Sequence, residues 1–118
     1  MGMMRIGCEF VFDAGHFVPG HAGHCKQMHG HTYRLEVVVE GPVGTSGMVM
    51  DFSVVKEVVR SEVLSVLDHR VLNDIMENPS VESCIEWIWA RLQSKLPLAS
   101  VRLWEGDGKW AEKTAASR

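Results

Sequence analysis

Two stretches of the chain alternate between apolar and polar residues. In the stretch from Arg5 to His16, one face carries Ile6, Cys8, Phe10, Phe12 and Ala14. In the stretch from His29 to Glu40, one face carries Tyr33, Leu35, Val37 and Val39. A period of two is typical of a strand with one buried face. The sequence therefore predicts two β-strands, joined by a loop over residues 17–28 that contains one proline and two glycines.

A helical period replaces this alternation in the middle of the chain. Between Val54 and Leu67, apolar residues recur every three or four positions, which predicts a helix with Ser53 as its N-cap. A second apolar stripe, from Val81 to Leu92, follows Asn78-Pro79-Ser80. Serine at this position is a favoured N-cap, so we expect a second helix that begins after Ser80.

Alternation returns near the end of the chain. Residues Ala99 to Glu105 predict a third strand, and Asp107-Gly108 predicts a hairpin turn into a short fourth strand around Trp110. Strands and helices are segregated along the chain rather than interleaved. This order predicts one α+β domain over residues 1–118, with two helices on one face of an antiparallel four-stranded sheet.

Composition narrows the class of protein. The chain has 118 residues, of which 46% are hydrophobic and 23% charged, with a formal net charge of −3. This predicts a single domain with a real core rather than a disordered chain. A dedicated nucleic-acid binder is normally basic, whereas this chain is slightly acidic. Spanning a bilayer takes an apolar run of ~18 residues, and the sequence contains no such run. We therefore expect neither a nucleic-acid partner nor a membrane segment.

The chain contains three cysteines without paired spacing, which argues against a disulfide framework. The first residues carry one arginine and then turn acidic, unlike a signal peptide. Both features predict a reduced, cytoplasmic protein. Cys8 and Cys84 lie within apolar stripes and are expected to pack in the core. Cys25 lies in the loop beside Lys26, and its residue type is equally consistent with a reactive thiolate, a zinc ligand or an inert thiol.

Five of the six histidines fall between His16 and His31. His29 and His31 are two positions apart on one strand and project from the same face, and His16 ends the preceding strand on its apolar face. Three converging imidazoles with an open fourth position are the pattern of catalytic zinc, although iron, nickel or copper also accept such donors. The alternative is a set of ordinary loop histidines. His21 and His24 are out of phase and are not expected to be ligands.

Two further features have both a functional and a structural interpretation. Asp68 precedes His69, and a carboxylate beside a histidine can fix its tautomer for acid–base catalysis, although both residues also suit a helix end. Glu105 is in phase with the apolar residues of its strand. It is placed either to bind a guanidine-like edge through two N–H donors or to reach water at the strand end.

Together these residues resemble the 6-pyruvoyl-tetrahydropterin synthase family. The matching segments, in the order of the family, are FDAGH (12–16), CKQMHGH (25–31), GMVMDF (47–52), LDHRVLND (67–74), NPSVES (78–83) and VRLWEG (101–106). The three residues between Cys25 and His29 match the branch of 6-carboxy-tetrahydropterin synthases, which belong to 7-deazapurine (queuosine and archaeosine) biosynthesis.

The resemblance implies a role for each matched position. The implied zinc ligands are His16, His29 and His31. Cys25 matches the catalytic proton acceptor, and Asp68 and His69 match the pair that works opposite it. Glu105 matches the carboxylate that anchors the guanidine edge of the pterin and is counted with the catalytic set. Ser80 stands in the pterin pocket where the family usually has Thr, and Gly106 also replaces a common Thr.

The implied reaction converts 7,8-dihydroneopterin triphosphate into 6-carboxy-5,6,7,8-tetrahydropterin with loss of triphosphate and acetaldehyde. The alternatives within this class are a 6-pyruvoyl-tetrahydropterin synthase and a dihydroneopterin aldolase-like enzyme. An alternative outside it is a zinc-stabilised ligand-binding module. The resemblance also implies the tunnelling fold, in which subunits form a ring, here a homohexamer with sites between chains.

Overall fold

The computed structural model describes residues 2–17 and 28–116. The strands are β1 (Met3–His16), β2 (His29–Pro42), β3 (Arg70–Val71), β4 (Leu98–Glu105) and β5 (Trp110–Thr114). The helices are α1 (Phe52–Val59), α2 (Ser65–Leu67) and α3 (Val81–Leu92). A π-helical segment, Arg60–Leu64, joins α1 to α2, and a 3-10 turn, Leu72–Asp74, follows β3. The predicted first helix is therefore one run with a widened turn in its middle.

The sheet has five strands in the order β3-β1-β2-β4-β5 over the described residues. The pairs β1–β2, β2–β4 and β4–β5 are antiparallel, as predicted, and β1–β2 is the longest. The prediction of a purely antiparallel, four-stranded sheet was wrong, because Arg70–Val71 pairs parallel with Ala14 and Gly15. A two-residue strand is too short to produce a recognisable alternation in the sequence.

The core lies between the inward face of the sheet and the helices. The predicted apolar positions of β1, β2 and β4 pack with those of α1 and α3 in one cluster, in which Cys8 and Cys84 are buried as expected. Burial raises the pKa of the Cys84 thiol to about 12, so this thiol stays protonated. No helix in the described part of the chain is long and apolar enough to cross a membrane.

The two helix starts differ in how well the sequence located them. Ser80 is the N-cap of α3, as predicted, and its Oγ accepts a hydrogen bond from the Ser83 amide at 3.1 Å. The prediction of Ser53 as the first N-cap was wrong. Asp51 holds that position, and its Oδ1 accepts from both the amide and the hydroxyl of Ser53 at 2.8 Å. Asp and Ser are both favoured caps, so residue type alone did not separate them.

Candidate metal centre and active site

Three histidine side chains converge where β1 ends and β2 begins. His16 and His29 are register partners across the two strands, and His31 lies on the same face two residues further along β2. One nitrogen from each ring lies within 4.8 Å of the corresponding nitrogens of the other two. The register of β1 and β2 therefore brings the three predicted histidine side chains together.

A main-chain carbonyl fixes the tautomer of His16. Its Nδ1 lies 2.7 Å from the carbonyl oxygen of Pro79, which can only accept, so Nδ1 carries the proton. The lone pair of Nε2 then faces inward, 3.2 Å from Nε2 of His29. Two tetrahedral ligands at ordinary zinc–nitrogen distances lie about 3.3 Å apart, so this pair fits one metal ion.

His31 gives a second, independent indication that the three histidines suit a metal ion. Its Nε2 is buried without a hydrogen-bond partner among the described residues. Burial lowers the pKa of the His31 imidazole, and the nearby His29 and His16 also lower it while Glu105 raises it. A neutral ring with an unpartnered buried nitrogen is suited to metal binding. Among the described residues, the group of side chains that could hold a metal ion consists of these three histidines.

Glu105 ends β4 on the histidine side of the sheet. Its side chain is 16% exposed, with Oε1 lying 3.4 Å from Nε2 of His31 and Oε2 lying 3.6 Å from Nε2 of His16. The ammonium group of Lys109 lies 3.7 Å from Oε1. The carboxylate is thus held beside the three-histidine centre, within reach of a molecule bound there.

Tyr33 contacts His16 of the three-histidine centre and was predicted only as a core residue. The ring is buried, stacks on Phe12 at 5.1 Å between centroids, and places its hydroxyl 3.4 Å from Nδ1 of His16. Burial raises the pKa of this hydroxyl, so it stays protonated. The alternation of β2 could have indicated this contact, because Tyr33 lies on the same face of the strand as His29 and His31.

Asp68 and His69 bind the outer edge of β1, just before it pairs with β3. The amide of Asp13 donates to Oδ1 of Asp68 at 3.0 Å, and the amide of His69 donates to the carbonyl of Asp13 at 2.7 Å. His69 adopts a positive φ of 60°, which this second bond holds in place. The Asp13 amide, followed by His69, holds the pKa of the Asp68 carboxyl below its ordinary value.

The Asp68 carboxylate also orients the His69 ring. Nδ1 of His69 lies 3.0 Å from Oδ1 of Asp68, which makes Nδ1 the donor and leaves Nε2 free to exchange a proton. His69 and His31 line the same open cavity of about 510 Å³, together with Arg70. The structure therefore brings His69 of the predicted Asp–His pair and His31 of the histidine cluster to one cavity. The role of Asp13 in docking that pair was not visible in the sequence.

The remaining predicted site residues are placed differently. Cys25, with Lys26, His21 and His24, lies outside the described residues. The Ser80 hydroxyl is engaged in the helix cap and in a 3.0 Å hydrogen bond to the Ser83 hydroxyl. Ser80 nevertheless adjoins the centre, because the preceding Pro79 supplies the carbonyl that holds His16.

Comparison with known proteins identifies the family. The model of the family described as 6-pyruvoyl tetrahydropterin synthase matches residues 5–116. The chain belongs to this family. A putative 6-carboxy-5,6,7,8-tetrahydropterin synthase of Archaeoglobus fulgidus is 41% identical over 110 residues, covering 92% of this chain and 94% of the relative. The family acts on pterin substrates.

Two other relatives differ in name and in length of alignment. A dihydroneopterin monophosphate aldolase of Pyrococcus furiosus is 46% identical over 107 residues, covering 87% of this chain and 90% of the relative. A 6-carboxy-5,6,7,8-tetrahydropterin synthase of Haemophilus influenzae is 31% identical over 138 aligned positions, covering 93% of this chain and 98% of the relative. The latter alignment is longer than the chain itself, so that relative carries inserted residues.

Solved structures share the fold at low sequence identity. The 6-pyruvoyl tetrahydropterin synthase of Caenorhabditis elegans superimposes with a TM-score of 0.87 at 22% identity, covering 98% of both chains. The enzyme of that name from Plasmodium vivax superimposes with a TM-score of 0.69 at 17% identity, covering 98% of this chain and all of the other. The architecture is therefore that of the family.

Proposed function

We propose that this protein converts 7,8-dihydroneopterin triphosphate into 6-carboxy-5,6,7,8-tetrahydropterin, releasing triphosphate and acetaldehyde. The observation that carries the proposal is the three-histidine centre in a member of this family. The tautomer of His16 is fixed there, and Nε2 of His31 makes no hydrogen bond among the described residues. The relatives named as 6-carboxy-tetrahydropterin synthases favour this reaction within the family.

The proposed metal is zinc, held by the Nε2 atoms of His16 and His31 and by a ring nitrogen of His29. When bound, zinc supplies Lewis-acid chemistry that acidifies protons beside the hydroxyl groups it polarises. The three ligands leave a fourth position for substrate, which distinguishes a catalytic from a structural site.

The proton transfers are assigned to Cys25 and His69. We assign Cys25, as the thiolate, to remove a proton from the substrate side chain. His69 exchanges a proton from the opposite side through Nε2, because Asp68 engages its Nδ1. Arg70 lines the same cavity and is placed to face the anionic phosphate chain, which the net charge of the protein would otherwise repel.

Glu105 and Ser80 are assigned to the pterin ring. A carboxylate accepts two N–H donors from a guanidine-like edge, and Glu105 is mostly buried beside the metal ligands. Anchoring the ring there fixes which carbon of the side chain faces the metal. Ser80 contributes to the pocket wall through its place next to Pro79 rather than through a free hydroxyl.

The proposed active unit is a homohexameric ring. Within the described residues, β1 pairs on its outer side only through Ala14 and Gly15 with β3, so the edge from Met3 to Phe12 has no strand partner. β5 forms the other edge of the sheet. Exposed edges of this length favour pairing with another chain, and closure into a ring covers both.

A second candidate function is cleavage of dihydroneopterin monophosphate. The Pyrococcus furiosus relative bears the name of that aldolase at 46% identity, and its alignment fits within the length of this chain. Both reactions break a carbon–carbon bond in the pterin side chain, and the same acid–base pair can serve either. The two candidates therefore differ in the phosphate chain accepted and in the product.

The experiment is to incubate zinc-loaded protein separately with the triphosphate and the monophosphate and to identify the pterin products by mass spectrometry. We expect 6-carboxy-tetrahydropterin and acetaldehyde from the triphosphate, with the monophosphate unchanged. Cleavage of the monophosphate alone establishes the aldolase. If neither compound reacts and removal of zinc unfolds the protein, the chain is a zinc-stabilised binding module.

The Cys25→Ala variant tests the assigned proton acceptor in the same assay. It should retain zinc near the wild-type level while turnover collapses. Loss of zinc would instead make Cys25 a fourth ligand and the site a structural one.

A further inference from the structure

The hairpin between β4 and β5 places the ammonium group of Lys109 beside the carboxylate of Glu105. The Glu105 amide donates to the carbonyl of Lys109 at 2.9 Å, which closes the turn. Gly106 and Gly108 adopt positive φ values of 66° and 79° within it. The turn places Nζ of Lys109 3.7 Å from Oε1 of Glu105.

Gly106 makes this turn possible. A residue with a Cβ is strained at its φ of 66°, and a β-branched residue such as threonine is especially disfavoured there. The Gly106 amide donates to the carbonyl of Thr32 at 3.1 Å, so the turn is fastened to β2 next to His31. The departure from threonine at this position thus removes a hydroxyl and leaves Lys109 as a polar group beside Glu105.

A carboxylate alone cannot fix the orientation of a pterin ring. The 2-amino group and the ring N3–H each donate to one oxygen, and the two oxygens are chemically equivalent. The ring can therefore bind in either of two flipped orientations. The 4-carbonyl oxygen lies next to N3, so a donor placed near only one carboxylate oxygen distinguishes the two.

We propose that Lys109 is a specificity-determining residue that binds the 4-carbonyl oxygen of the pterin and so selects one ring orientation. The inference rests on the proposed anchoring role of Glu105. Because Lys109 lies near Oε1, the ring N3–H binds Oε1 and the 2-amino group binds Oε2. His31 also approaches Oε1, but it belongs to the proposed metal-binding set, so among the described residues near Oε1 Lys109 is the donor left for the ligand.

The exposure of Glu105 and Lys109 agrees with Glu105 as the anchor of the ring and Lys109 as the residue that selects its orientation. The Glu105 side chain is 16% exposed and fixed beside the histidines, whereas that of Lys109 is 69% exposed and can follow a bound ring. A hydrogen bond to a charged donor at a partly exposed position changes binding by about tenfold or less. Together the two residues bind the 2-amino group, the ring N–H and the 4-carbonyl oxygen along one edge of the ligand.

The test measures the affinity of zinc-loaded protein for three pteridines by fluorescence titration. The first is neopterin, which has the 2-amino-4-oxo edge. The second is its 4-thioxo analogue, which keeps both donors but replaces the carbonyl oxygen with a weak acceptor. The third is a 2,4-dioxo pteridine, which replaces the 2-amino donor that Glu105 requires.

The variants are Lys109→Met, Lys109→Arg and the control Lys113→Met, which removes a lysine of β5 that pairs with Glu86 instead. We expect the wild type and Lys113→Met to prefer the 4-oxo over the 4-thioxo ligand by roughly five- to tenfold, with Lys109→Arg retaining most of this preference. Lys109→Met should reduce the preference to about twofold while still rejecting the 2,4-dioxo compound.

Each contrary result has a distinct meaning. An unchanged preference in Lys109→Met, with the 2,4-dioxo compound still rejected, overturns the role of Lys109 and leaves the anchor intact. Equal binding of the 2,4-dioxo compound and neopterin by the wild type overturns the anchoring role of Glu105, and with it the proposed mode of pterin binding.

Discussion

Nδ1 of His16 donates a hydrogen bond to the carbonyl oxygen of Pro79, at 2.7 Å, across 63 positions of sequence. This bond joins the end of β1 to the residue before the N-cap of α3. It sets the tautomer of His16 and aims Nε2 at His29. Outer partners of this kind orient metal-binding histidines and raise their affinity for the ion.

The first prediction concerns the metal ligands. His29→Ala should bind less than about a tenth of the zinc bound by wild type, because it removes one of three donors at an already open site. His69→Ala is the matched control and should bind one zinc ion per chain. Zinc content after dialysis, measured by plasma emission spectrometry, checks both. Stoichiometric zinc in His29→Ala would exclude His29 as a ligand.

The second prediction concerns the support of His16. Tyr33→Phe removes the hydroxyl near Nδ1 but keeps the buried ring and its stacking on Phe12. Zinc affinity should fall by a few fold, less than the roughly ten- to hundredfold typical of a strong outer partner, because the Pro79 carbonyl remains. Competition with a fluorescent chelator measures the change. A wild-type affinity would show that the Pro79 bond alone orients His16.

The third prediction concerns the Asp–His pair. Asp68→Asn should keep zinc and fold but lower kcat by about tenfold or more, because an amide cannot stabilise the imidazolium of His69. KM should change little, since neither side chain is assigned to bind the pterin ring. Steady-state kinetics with zinc content measured in parallel separate these effects. A raised KM with unchanged kcat would place the pair in substrate binding instead.

The fourth prediction concerns the first helix and its dependence on pH. Asp51→Ala should lower the Tm by a few degrees, whereas Ser53→Ala should change it less, because Asp51 is the cap. The Ser53 amide, with its hydroxyl, holds the pKa of the Asp51 carboxyl below its ordinary value of 3.8.

The sign of the pH effect follows from that shift. A carboxyl with a depressed folded-state pKa stabilises the protein above its ordinary pKa, and the contribution is lost as pH falls through the depressed value. The difference in Tm between wild type and Asp51→Ala should therefore narrow between about pH 5 and the acid range below 3.8. A constant difference across that range would mean that the cap acts without its charge.

The sequence predicted the features that repeat along the chain. Alternation placed β1, β2 and β4, and the same alternation put His16, His29 and His31 on the apolar faces of two neighbouring strands, where the structure has them. Features that depend on one contact between distant segments were not predictable. The Pro79 carbonyl and His16 are 63 positions apart in the chain, and main-chain groups leave no signature in residue type.

The same reasoning explains the smaller differences. Arg70–Val71 becomes a strand because Asp13 fastens the two residues before it to the edge of β1. Its amide binds the Asp68 carboxylate and its carbonyl binds the His69 amide. Lys109 reaches Glu105 because Gly106 and Gly108 turn the chain tightly. The sequence predicted the turn at Asp107-Gly108, but neither the part that Gly106 has in that turn nor the direction in which the Lys109 side chain leaves it.

The most direct test of the account is a titration of metal-stripped protein with zinc, with product formation from 7,8-dihydroneopterin triphosphate as the readout. The account predicts no turnover without metal and a linear rise that ends at one zinc ion per chain, with His29→Ala inactive throughout. Full turnover by the metal-free protein, or a rise that is unchanged in His29→Ala, would contradict it.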